Sequence, residues 1–169
     1  MKKIIQTNRL YLRELTVTDA ENFYLLNLDE EVIKYTGDKA FESIDKAKEF
    51  LENYNPYKKY GYGRWAVIDK SNEEFLGWCG LKYSEELQEV DLGFRFFKKY
   101  WNKGFASEAA LACINHGFKE LNLQKIVGRA MELNSASIRV LEKVGMKYIS
   151  TIDFEKHIGV LYEITNSNH

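Results

Sequence analysis

Between Glu89 and Phe118 the chain reads EVDLGFRFFKKYWNKGFASEAALACINHGF, and this stretch limits the fold more than any other. Val90 to Phe97 is dense in apolar and aromatic residues and predicts a strand. Lys98 to Ala106 forms a basic turn around Gly104. A helix follows from near Ser107, carrying Ala109, Ala110, Ala112, Cys113, Ile114 and Phe118. A loop that enters a helix through glycine and small residues leaves several backbone N–H groups free at the positive end of the helix dipole. Lys98, Lys99 and Lys103 add charge of the same sign. The arrangement suits an anion, most simply a phosphate or pyrophosphate.

A length of 169 residues predicts a single domain spanning 1–169, with its core over about 7–165. Apolar residues at 45% supply enough surface for a sizeable core. The formal net charge of −1 provides no global positive field for nucleic acid, so any basic function is local. Cys79 and Cys113 lie inside apolar runs and read as buried reduced thiols. Two cysteines and three scattered histidines make neither a disulfide framework nor a metal site. The start, MKKIIQTNRL, is too short in apolar residues for a signal peptide, and no run approaches a membrane span. The expectation is a soluble, cytoplasmic protein without a membrane partner.

The first strand is predicted over Thr7 to Leu15, where Leu10 and Leu12 alternate with Arg9, Tyr11 and Arg13. Thr16 to Asp19 offers cap residues for a helix reaching Leu28, and Asp29 opens a further turn ending near Gly37. Ser43 or Asp45 caps another helix to about Tyr54, burying Ala47, Phe50 and Leu51. Asn55 to Gly63 reads as a tyrosine-rich loop. Arg64–Asp69 and Phe75–Lys82 pair as a hairpin, in which Gly77 and Gly80 signal a bulge or a close backbone approach. Asn122 closes the Ser107 helix; a strand Lys125–Met131 and a helix Ala136–Val144 follow, the latter stopped by Gly145. Lys147–Phe154 and His157–Thr165 are closing strands, and Asn166 to His169 a loose tail. Strands and helices are mixed, hence an α+β or mixed α/β class.

TNRLYLREL, DLGFRF with YWNKGFASEA, and LNSASIRVLEKVGMK occur in this order across nearly the whole chain. Together they resemble the Gcn5-related N-acetyltransferase (GNAT) superfamily, and within it the RimJ/RimL-type branch. The resemblance implies a central, mostly antiparallel sheet of six to seven strands flanked by helices. It also implies that this sheet splays between its fourth and fifth strands, Val90–Phe97 and Lys125–Met131. The superfamily's turn motif corresponds to Trp101-Asn102-Lys103-Gly104-Phe105-Ala106, with Trp101 where Gln or Arg is commoner. By resemblance, the amides of Asn102, Lys103, Gly104, Phe105 and Ala106, with the Ser107 hydroxyl, hold the pyrophosphate of acetyl-CoA. Its pantetheine arm adds to the strand edge near Phe94, Arg95 and Phe96, and Asn134 contacts the cofactor.

The implied activity is acetyl-CoA-dependent N-acetylation of a primary amine by direct attack on the thioester. The acceptor is either a protein N-terminus or a small amine such as a polyamine or drug, and the family often forms homodimers. Such a reaction needs a base, donors for the oxyanion and an acid for the thiolate. Ser137 matches a thiol-side donor of the branch, whereas many relatives carry a tyrosine at the position of Leu141. For the base, Glu89 and Asp91 flank Val90 and point to one face, where two carboxylates can raise one pKa; the alternative is a solvated strand edge. His157 is a second candidate, and His116 reads as packing. Asp29, Glu30 and Glu31 with the Tyr54–Tyr62 segment are candidates for the acceptor mouth. Two rivals stand beside this reading. A non-catalytic acyl-CoA-binding module follows from Leu141. A nucleotide-binding domain of another fold is weakened by the lack of G-x-x-x-x-G-K-[ST] and G-x-G-x-x-G.

Overall fold

A computed structural model describes residues 1–168. The strands are β1 (Lys3–Gln6), β2 (Leu10–Glu14), β3 (Arg64–Asp69), β4 (Phe75–Ser84), β5 (Glu89–Phe96), β6 (Lys125–Met131), β7 (Lys147–Phe154) and β8 (His157–Thr165). The helices are α1 (Ala20–Leu28), α2 (Glu30–Ile33), α3 (Ile44–Glu52), α4 (Pro56–Tyr60), α5 (Phe105–Lys119) and α6 (Ser135–Lys143). Among the described residues the strands form one sheet in the order β1-β2-β3-β4-β5-β6-β8-β7. The β5–β6 ladder is parallel and the others are antiparallel.

Strand alternation divides the apolar side chains between two faces. On one face Leu12, Trp65, Cys79, Leu81 and Leu92 pack against Ala109, Ala110, Cys113 and Ile114 of α5 and Leu141 of α6. On the other, Tyr11, Ala66 and Ile68 meet Phe23 and Leu26 of α1 and Leu51 of α3. The sheet is therefore a middle layer with helices on both sides. At the join between β2 and α1, Asp19 is buried and takes both Nη atoms of Arg13 at 2.8 Å, and it accepts the Thr16 amide at 2.9 Å.

The sheet has eight strands rather than six to seven. Lys3–Gln6 holds adjacent Ile4 and Ile5 without alternation, so its strand character comes only from pairing with β2. The splay lies where the resemblance puts it; with β1 counted, its two strands are β5 and β6. Asn55–Gly63 contains helix α4: Pro56 at its first position has no N–H to lose there, and Gly61 ends it at φ 83°. Phe50 is 44% exposed because it flanks the stripe set by Ala47 and Leu51, and it stacks on Phe23 at 5.6 Å instead. The tail is a 3-10 turn over Asn166–Asn168, tied down by the Asn166 amide on the Gln124 carbonyl at 2.9 Å. His169 lies outside the described residues. A Cβ at Gly77 would stand 2.1 Å from the Arg95 carbonyl oxygen, and the β3–β4 register shifts nearby.

Removing one partner of a buried ion pair strands the other's charge. Asp19→Ala is expected to lower the urea unfolding free energy by about 3–5 kcal/mol. Glu49→Ala removes the exposed Lys46–Glu49 pair and is expected to cost less than about 1 kcal/mol.

Candidate active site

The parting of β5 from β6 organises the site. The two strands pair only at Asp91–Val127 and Leu92–Gly128. From Gly93 to Phe96 one side of β5 has no strand beside it, while its other side stays paired to β4 through Gly77–Gly80. The Phe97 amide turns to Leu76 of β4 at 3.0 Å, and the Phe96 carbonyl turns the other way to accept the Trp101 indole N–H at 2.9 Å. Alternation then directs the backbone of Phe94 and Phe96 to the open side and that of Arg95 towards β4. Trp101 folds the turn back onto the end of β5 by this indole bond.

The turn itself is built from unusual backbone. Asn102 (φ 61°) and Gly104 (φ 80°) are both left-handed, and Gly104 is the N-cap of α5 without a side-chain cap. The backbone N–H groups of Asn102 to Ser107 donate to no acceptor among the described residues. The helix dipole adds positive potential there, and Lys98, Lys99 and Lys103 are exposed around it. Arg9 holds the turn in shape: Nη1 donates to the Lys103 carbonyl at 3.0 Å, and the guanidinium carbon lies 4.3 Å over the Phe105 ring. Glu108, one turn into α5, takes Arg9 Nε at 2.7 Å, the Arg9 amide at 3.0 Å and the Thr7 hydroxyl at 2.6 Å. The β1–β2 turn thus braces the mouth of α5. Neither Arg9 nor Glu108 stands out in the sequence, because their partners are about a hundred residues away.

Across the opening, Asn134 caps α6 by accepting the Ser137 amide on Oδ1 at 3.2 Å, which leaves Nδ2 as its free donor. The Ser137 hydroxyl donates to nothing among the described residues and is half-buried. Leu141, one turn further on, is 2% exposed and sits against Gly128 of β6. His157 is exposed at the start of β8. His116 stands edge-on to Trp65 at 5.5 Å, and burial lowers its pKa despite an opposing pull from Glu120.

Glu89 and Asp91 do share a face, at the apex where the strands part. They also meet two guanidiniums that the sequence reading overlooks. Arg129 of β6 bonds Glu89 and stands 3.7 Å from Asp91; Arg64 of β3 bonds the other oxygen of Asp91 at 3.0 Å. Arg64 lies flat across the sheet because Gly93 lacks a side chain: a Cβ there would be 2.6 Å from its guanidinium. The tyrosine-rich segment fixes Arg64 by its backbone. Tyr54 OH accepts its amide at 2.8 Å, and Tyr57 OH donates to its carbonyl. Burial pushes the Tyr57 phenol far above its ordinary range, so it serves as a neutral donor. The signal for Arg64 in the sequence is indirect, namely two glycines inside strands, Gly80 and Gly93, that pair with each other. Asp29, Glu30 and Glu31 lie on α2 and the residue before it, where Asp29 caps the helix through the Glu31 amide at 2.9 Å. A separate groove of about 420 Å³ runs between β1 and α5, away from this opening. No cluster of three metal-ligating side chains occurs among the described residues, and no described helix is long and apolar enough to cross a membrane.

The acetyltransferase (GNAT) domain family matches residues 9–147. An uncharacterized Bacillus subtilis protein, YkkB, is 36% identical across 99% of this chain and 98% of its own. The uncharacterized N-acetyltransferase p20 of Bacillus licheniformis is 30% identical, covering 95% of this chain and 92% of its own. Among solved structures, a GNAT-family acetyltransferase from Bacillus anthracis superposes with a TM-score of 0.83 at 28% identity, over 96% of this chain and 98% of that one. The spermidine N-acetyltransferase of Vibrio cholerae, in complex with CoA and spermine, shares the fold at TM-score 0.80 and 20% identity, over 95% and 98%.

The brace at Glu108 carries a pH signature. Burial opposes its charge, but the Thr7 hydroxyl, the Arg9 amide and the Arg9 guanidinium outweigh burial and hold its carboxyl below the ordinary 4.5. A depressed folded pKa adds stability that is present above the unfolded value and is lost as pH falls through the folded one. Glu108→Gln is expected to lower the melting temperature by about 2–4 °C at pH 7. The gap to the unaltered protein closes as pH falls below 4.5, and calorimetric melts across that range check it.

Proposed function

Because the chain belongs to the acetyltransferase (GNAT) family, we propose that it moves an acetyl group from acetyl-CoA to a primary amine. The observation that carries this reading is the turn at Asn102–Ser107, six consecutive backbone amides with no partner, set beside an unpaired edge of β5. Such a turn suits a pyrophosphate, since free N–H groups at a helix N-terminus are preorganised anion donors. The edge suits an amide-bearing arm, which satisfies exposed strand groups in the manner of an added strand. The spermidine acetyltransferase that shares this fold contains CoA, which supports the same assignment.

Acetyl-CoA supplies an activated thioester. Asn102, Lys103, Gly104, Phe105, Ala106 and Ser107 hold its pyrophosphate. Phe94 and Phe96 present backbone groups to the pantetheine, Arg95 lies between them and Trp101 anchors the turn. Asn134 offers Nδ2 from the far wall. The free amine forms the new amide bond as the C–S bond breaks; one proton leaves the ammonium for solvent and a second goes to the departing sulfur. Glu89 and Asp91, held at the apex by Arg64 and Arg129, orient the ammonium and pass its first proton to water. Ser137 donates a hydrogen bond to the developing thiolate. The unused Ser137 hydroxyl supports this role, and Leu141, packed in the core, has no polar group to share it.

Two measurements test the reading. Acetyl-CoA is expected to bind in calorimetry, and Gly104→Val to weaken binding about ten-fold or more, because a β-branched residue is strained at φ 80°. Ser137→Ala is expected to lower kcat about 100-fold while leaving acetyl-CoA affinity unchanged. Absence of acetyl-CoA binding refutes the proposal. Binding without thiol release over a broad amine panel turns it into the non-catalytic acyl-CoA-binding module.

A further inference from the structure

The face of β4 and β5 opposite α5 carries a second set of unused donors. Trp78 and Arg95 are cross-strand partners, and the Arg95 guanidinium lies 5.3 Å from the Trp78 ring centre. The Arg64 guanidinium lies 5.1 Å from the same ring. Both cations on this indole are paired, Arg64 with Asp91 in the apex cluster and Arg95 with Asp38. Trp78 Nε1 and Arg95 Nε are both buried and both without a hydrogen-bond partner. A buried donor left unpaired is costly, and two of them on neighbouring side chains ask for an oxygen.

The partners of Arg95 say which kind. Its Nη1 donates to Asn27 Oδ1 at 2.6 Å, and Asn27 is a buried residue of α1, so the guanidinium plane is fixed in advance. Its Nη2 donates to a single oxygen of Asp38 at 2.7 Å. Nε and Nη2 form one edge of the guanidinium fork, which a carboxylate fills with two parallel bonds. Asp38 thus meets Nη2 through one oxygen and leaves Nε bare. Asp38 sits in the connection between α2 and α3, and its side chain is 57% exposed, against 11% for Arg95. An exposed surface carboxylate thus pairs with a buried guanidinium whose Nε has no partner, and the Trp78 ring, whose N–H is also without a partner, lies against that guanidinium.

We propose that the Arg95 Nε–Nη2 edge, with Trp78 Nε1, is the seat of a carboxylate borne by the acceptor, and that Asp38 stands in for it when no acceptor is bound. The acceptor class is an amino-carboxylate rather than a plain cationic amine. The assignment rests on the acetyl-transfer reading above and deepens it. Arg95 lies four residues along β5 from Asp91, about 13 Å at strand spacing. Amine and carboxylate are therefore separated by several bonds in the preferred acceptor.

Two experiments decide it. In the first, thiol release is followed with amino-carboxylates from glycine to 6-aminohexanoate, each against the amine that lacks the carboxylate, methylamine to pentylamine. The longer amino-carboxylates are expected to exceed their plain counterparts about ten-fold or more in kcat/KM, as a charge-assisted bidentate pair warrants. Trp78→Phe removes one donor and raises KM for the amino-carboxylates alone. Asp38→Asn removes the competitor and lowers that same KM, leaving the plain amines unchanged. In the second, the Trp78 indole N–H resonance is followed by NMR; it shifts with 6-aminohexanoate and not with pentylamine, and Asp38→Asn strengthens the response. Equal turnover of plain amines, a loss of turnover on every amine in Asp38→Asn, or an unmoved indole signal overturns the carboxylate seat. If acetyl-CoA still binds in calorimetry, the transferase reading survives that failure; if acetyl-CoA does not bind, both fall together.

Discussion

Two rungs of parallel pairing, Asp91–Val127 and Leu92–Gly128, hold β5 to β6 before the strands separate. Everything else in the candidate site is arranged around that separation. A parallel ladder that continued to Phe96 would consume the backbone groups of Phe94 and Phe96 and close the sheet. Because it stops, the central strand keeps one bare edge in the interior of a sheet, where edges are otherwise covered. The apex is locked by charge. Arg64 from β3 and Arg129 from β6 converge on Glu89 and Asp91 of β5, tying the two halves of the sheet at the point where their backbones part. Gly93 makes room for one of those guanidiniums, and its partner Gly80 for the backbone that carries it.

The glycine turn before α5 depends on the same economy of distant supports. Asn102 and Gly104 bend the chain through left-handed backbone, and the N–H groups from Asn102 to Ser107 donate to nothing among the described residues. Its rigidity comes from outside, through Arg9, Glu108 and Thr7 on one side and the Trp101 indole on the other. A turn whose own amides are spoken for binds nothing; a turn braced through side chains keeps them free for a ligand.

On the face of β4 and β5 opposite α5, charge again organises the side chains. Trp78 lies among guanidiniums, Asn27 fixes the Arg95 plane, and Asp38 reaches in from a surface connection. None of these contacts follows from local pattern. In the sequence Trp78 is one residue of the Phe75–Lys82 strand, and Arg95 is a residue of the strand edge that the resemblance gives to the pantetheine arm. Only the cross-strand register and the approach of α1 turn them into neighbours with unfilled donors.

Much of the fold was legible from local chemistry. β3, β6, β7 and β8 match their sequence ranges because each is bounded by turn residues and carries strand-forming side chains. The glycine turn, the α5 helix and the Gly145 stop of α6 were also legible, since backbone conformation and helix ends are set by residues within a few positions of one another. By itself the sequence determined that a glycine turn and a helix follow a central strand, that a helix stopped by Gly145 follows β6, and that the chain resembles the GNAT superfamily. Tertiary structure decided that β1 adds an eighth strand and that Glu89 and Asp91 face Arg64 and Arg129. Those outcomes depend on partners tens of residues away, and pairing at that range is fixed by which faces pack together rather than by the order of residues along the chain.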